Sequence, residues 1–141
     1  MRHTMADRTA RALPLLMLAY AAASLVHFAH NAMHLQDYPH MPPWLTPGRV
    51  YGAWAALTAL GLCGYWLARR VSPAAGLLLI ALYGLCGFGG FEHYALAPMR
   101  AHSAAMNASI VAEAVAAAVL LWYLARYRPL LMRVQARVRS R

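Results

Sequence analysis

Long apolar runs alternate with short polar or proline-rich breaks along the whole chain. Four runs, at roughly 12–35, 50–68, 74–95 and 103–125, are each long enough as helices to cross about 30 Å of hydrocarbon. Two of the breaks, Arg69 to Pro73 and Leu96 to Arg100, leave room only for tight reversals, so their flanking segments should run antiparallel. The pattern predicts an all-α integral membrane protein. Its single domain, residues 1–141, would be a four-transmembrane-helix up-down-up-down bundle. A hydrophobic fraction of 62% and a mean hydropathy of +0.44, well above the globular norm, support that class.

The net charge of +9 raises nucleic acid as a partner, and the placement of the arginines argues against it. The chain has no lysine, and if the segments alternate, eleven arginines fall on one side and only Arg49 and Arg100 on the other. That asymmetry is a positive-inside signal, placing both termini in the cytoplasm and the protein in a bacterial inner membrane. A nucleic-acid surface would instead need these arginines on a folded soluble face. The basic tail 127–141 intersperses Leu130, Leu131, Val134 and Val138 with arginines, as an interfacial helix on anionic lipid would, and a plain topology anchor is the simpler reading. Arg2 to Arg11, followed by Leu13 to Tyr20 and three alanines, also has the outline of a cleavable signal. The apolar stretch continues to Leu35 with one face polar throughout, which favours a retained first span.

Against this background the polar residues are one-sided. Six of the seven histidines and three of the four acids fall towards the predicted outer side. At about 100° per residue, Tyr20, Ser24, His27, Asn31 and His34 form one stripe about 80° wide, with His30 beside it. His102, Met106, Ser109 and Glu113 form a second, about 60° wide, and Asn107 points away from it. Glu92 and His93 diverge by about 100°, so they compete for one inward direction. The second span offers only Tyr51, Thr58 and Tyr65 and no ligand. His34, His93 and His102 should lie near the outer interface, whereas His27 and Glu113 should lie roughly 10–15 Å inside the apolar layer.

Ionisable groups at that depth are costly and usually face a bundle interior where they bind or relay something. Without a partner Glu113 should hold a proton and His27 stay neutral; a divalent ion between them would favour the charged carboxylate. Imidazole with carboxylate is a ligand set for zinc, iron, manganese or copper(II), and four-helix bundles build such sites from facing helices. The candidate metal ligands are His27, His30, His34, His93, His102 and Glu113, with Glu113 or Glu92 as the base if an open metal position activates water on a lipid-like substrate, or binds oxygen. The same ligands would equally serve metal delivery, sensing or transport.

Two other classes compete. A b-type haem protein would use His27 or His30 opposite His93 or His102, leaving both glutamates without a role. A non-metal carrier, as a homodimer, or an accessory subunit would use the stripes as hydrogen-bonding glue between helices. Individually, a membrane histidine is more often such glue than a ligand, and His34, His40 and His102 could simply sit among headgroups. Met33, Met41, Met99 and Met106 are scattered as packing residues are. Cys63 and Cys86 differ in depth, which disfavours a disulfide. Gly87, Gly89 and Gly90, with Gly52, Ala56, Gly61 and Gly64, suggest close helix packing. The loop Gln36 to Gly48, stiffened by prolines, should lie as a lid over the bundle, with Tyr38 and Trp44 at headgroup level.

Overall fold

The computed structural model describes the backbone of residues 5–139 and the side chains of residues 11–132. It is all-helical: among the described residues no strand occurs, and four helical stretches are long and apolar enough to cross a membrane. These are Arg11–Met33, Pro47–Arg70, Pro73–Leu96 and Ala104–Met132. Helix α1 covers Met5–Met33, α2 Pro47–Arg70, α3 Pro73–Cys86, α4 Glu92–Leu96 and α5 Ala104–Arg139.

Local chemistry starts two of these helices. Thr46 and Ser72 precede Pro47 and Pro73, and each hydroxyl accepts a backbone hydrogen bond at 3.3 Å, from Arg49 and Ala75 respectively. A hydroxyl at the N-cap followed by proline satisfies one free N–H and presets the first helical φ. Between α2 and α3 only Val71 and Ser72 intervene, so the two helices pack side by side. Gly61, Gly64 and Gly76 permit that approach: a Cβ at Gly76 would run into the Ala68 backbone, and one at Gly61 into the Tyr83 ring. Gly52, by contrast, faces open space.

Two expected boundaries change. The third span is not one continuous helix: α3 stops at Cys86, and a 3-10 turn at Gly89–Phe91 leads into the short α4. Three glycines in four positions weaken helical propagation there, and Gly87 lies so close to Ala117 and Tyr20 that a side chain would collide. Within the break Gly87 and Gly90 are buried against the bundle, whereas Gly89 is exposed. The second change is at the basic tail, where α5 runs on through Pro129 to Arg139 instead of ending near 125.

The most extensive contacts join α1 to α5 and α2 to α3, with α1 also against α2 and α3 against α5. An apolar core fills the arginine-rich half, where Leu13, Met17, Leu77, Ile80, Leu120 and Leu131 are buried. Tyr20 and Tyr83 close it, with ring centroids 4.5 Å apart and the Tyr20 hydroxyl donating to the Tyr83 carbonyl at 3.1 Å.

Candidate functional site

Beyond the two tyrosines the interior becomes polar. Ser24, His27 and Asn31 on α1 are buried, as are Met106, Ser109 and Glu113 on α5, so the two stripes face each other. Seven residues of helix separate the ends of each set, so the polar column is about 10 Å deep. His93 from α4 and His102 from the loop before α5 enter the same interior, both under 9% exposed.

The deepest pair is His27 and Glu113, with Nε2 and Oε2 3.8 Å apart. Glu113 is 1% exposed, and the Ser24 hydroxyl is its hydrogen-bonding neighbour. Across from them is the broken helix, where Gly90 presents no side chain. A Cβ there would lie 3.5 Å from His27 Nε2 and 3.7 Å from Glu113 Oε2. The backbone thus comes up against the pair without a covering side chain.

The hydrogen bonds determine which imidazole nitrogen is available. Ser109 gives its one hydroxyl hydrogen to the Met106 carbonyl at 2.9 Å, so its oxygen accepts from His27 Nδ1 at 3.2 Å. His27 Nε2 therefore carries the lone pair when the ring is neutral, and it faces the carboxylate. His102 is set in the same way, since Nδ1 donates to the Pro98 carbonyl at 3.2 Å and leaves Nε2 as the lone-pair nitrogen. Metal-bound histidines typically spend their other nitrogen in this manner. Four buried atoms of the group, Asn31 Oδ1, His93 Nδ1, His102 Nε2 and Glu113 Oε1, have no hydrogen-bond partner among the described residues. Buried polar atoms are nearly always paired, so this concentration marks the site.

His93 and Asn31 meet through Nε2 and Nδ2 at 3.3 Å. The His93 ring lies 5.7 Å from that of His27 and 6.2 Å from that of His102. The competition between Glu92 and His93 is decided: His93 turns inward and Glu92 is exposed. Glu92 thus stays outside the buried group. His30 is half-buried and His34 exposed; their rings stack at 4.6 Å, and His34 donates from Nδ1 to Asp37 at 3.2 Å. His40 is exposed in the loop, with a left-handed φ of 57°. Among the described residues, no three His, Cys, Asp or Glu side chains converge at metal-ligand spacing.

Two participants escaped the sequence pattern. Tyr38, expected among headgroups, is 3% exposed. Its ring packs 4.8 Å from His93 and 6.3 Å from His102, and its hydroxyl meets His30 Nδ1 at 3.0 Å beside Ser109. Burial pushes this phenol above its ordinary value, so it remains a neutral hydroxyl covering the histidine-rich end of the polar group. Pro39 next to it and the loop's prolines are the only local hint of a fixed position. Asn107, read as pointing away, indeed lies off the α5 stripe, but it organises the loop beside it. It accepts from the Tyr94 hydroxyl at 2.8 Å and donates to the Met99 and His102 carbonyls at 3.1 and 3.3 Å. It thereby positions His102.

Compared with protein-family models, curated proteins and solved structures, the chain matches none. Function has to be argued from the site.

Proposed function

We propose that this is a small multi-pass protein of the bacterial inner membrane, with both termini cytoplasmic, that binds a zinc, iron or copper ion in its histidine-rich half. The supporting observation is that His27 Nε2 lies 3.8 Å from a Glu113 carboxylate whose other oxygen is buried without a partner among the described residues, while Ser109 at Nδ1 favours an Nε2 lone pair. A tetrahedral ion about 2.1 Å from each atom would need them roughly 3.4 Å apart, a small contraction from the 3.8 Å that separates them. Because no third ligand converges on the pair among the described residues, completing the set would require movement of His102, whose Nε2 lone pair is left free by the Pro98 bond, or of His93, whose Nε2 accepts from Asn31 Nδ2. The His34–Asp37 pair is surface-exposed and lies outside this ligand set.

The binding role is the core of the reading. Hydrolysis or oxidation of a lipid-like substrate would add an open coordination position, and Glu113 is the carboxylate placed to accept a proton there. A purely structural reading uses the same pair differently, with a protonated Glu113 donating to His27. Metal analysis separates the two. Protein purified in mild detergent without chelator, or reconstituted with each ion, should hold about one ion per chain. His27→Ala and Glu113→Gln should lose it with helical content intact, and Glu92→Gln should keep it. No stoichiometric metal under any loading condition would sink the proposal, and a strong Soret band would replace it with haem.

A further inference from the structure

A second feature lies at the opposite, arginine-rich end. Between α3 and α5 runs a trough of about 350 Å³, floored by Leu77 and Leu124 and flanked by Ala74, Ala81 and Ala125. The methyl side chains of the three alanines leave it open, and Leu78, Leu121 and Met132 complete its apolar lining. Arg128 lines the trough at its arginine-rich end. This guanidinium has no carboxylate partner among the described residues, whereas Arg69 on α2 donates to the Tyr65 hydroxyl at 3.1 Å. Of the four acids, Asp37, Glu92 and Glu113 belong to the other half, and the side chain of the fourth, Asp7, lies outside the described residues. The trough therefore combines an apolar slot with an exposed guanidinium that has no carboxylate partner among the described residues.

We infer that this trough is a binding site for one anionic phospholipid, with an acyl chain between Leu77 and Leu124 and the phosphate on Arg128. The chemistry matches at both ends. The gaps left by the three alanines in an otherwise leucine- and methionine-lined slot admit a methylene chain, and the guanidinium offers paired donors to phosphate oxygens. Cations at the membrane surface gain roughly the equivalent of a fivefold preference for anionic over neutral lipid per arginine. The slot restricts that preference to one place, unlike the diffuse charge of the remaining arginines. Arg126 is the internal contrast: it is exposed as well, but its guanidinium lies over the Tyr127 ring, 5.5 Å from the centroid.

Native mass spectrometry of the full chain, released from detergent after incubation with phosphatidylglycerol or phosphatidylcholine of identical acyl chains, tests this. The wild type should retain one phosphatidylglycerol about fivefold better than phosphatidylcholine. Arg128→Leu should abolish the preference, Ala81→Leu should reduce retention of both lipids by filling the slot, and Arg126→Leu should leave retention unchanged. Equal retention of the two lipids by the wild type overturns the inference, as does an Arg126→Leu loss equal to that of Arg128→Leu. Helical content and melting temperature in detergent check each variant, and Ala125→Leu replaces Ala81→Leu if that one fails to fold.

Discussion

The two halves of the bundle use the same helices in opposite ways. In the arginine-rich half, α1 and α5 bury Leu13, Met17, Leu120 and Leu131 in a core that needs no polar partner. In the histidine-rich half they bury Ser24, His27, Asn31, Ser109 and Glu113. Of the seven buried side-chain polar atoms without a partner among the described residues, four belong to Asn31, His93, His102 and Glu113. Leaving such atoms unpaired costs about 1–3 kcal/mol each, so the second half is poor as a stabilising device. A segment that only held helices together would do so more cheaply with leucine. The contrast is what recommends the histidine-rich half as the functional one, since departures from consistent packing concentrate at working sites.

Three substitutions test the contrast, the largest effect first. Gly76→Ala drives a methyl group into the Ala68 backbone and should destabilise the bundle by roughly 3 kcal/mol. Thermal unfolding in detergent would show it, and a melting temperature equal to the wild type would mean that the α2–α3 packing is not close. Ser109→Ala removes the acceptor that holds the His27 tautomer. It should weaken metal binding by about 10–100-fold, the usual effect of losing a group that orients a ligand, while barely moving the melting temperature. Should affinity stay the same, the tautomer argument for His27 fails. His34→Ala should have the smallest effect, within about 0.5 kcal/mol in stability, because its ion pair with Asp37 is solvent-exposed. A metal titration showing a large loss would move the site outward, towards the loop.

Much of this architecture is legible in one sequence because it rests on local rules. Apolar runs of sufficient length define four candidate spans, and the helical period alone aligns Ser24, His27 and Asn31 on one face and Met106, Ser109 and Glu113 on another. Thr46-Pro47 and Ser72-Pro73 mark helix starts by their own hydrogen bonding. Where local and non-local rules meet, the period was insufficient. A continuous helix over 74–95 cannot say whether Glu92 or His93 turns inward, and the break at Gly87–Phe91 changes the register on which that question depends.

By itself, then, the sequence determined the helical class, the segregation of arginines from histidines and the two polar faces, because each follows from composition or from a repeat of about 3.6 residues. Tertiary structure alone decided that His93 enters and Glu92 does not, that Tyr38 caps the chamber, and that Ser109 dictates which nitrogen His27 presents. Those outcomes depend on contacts between residues as far as 82 positions apart, and no local preference encodes them.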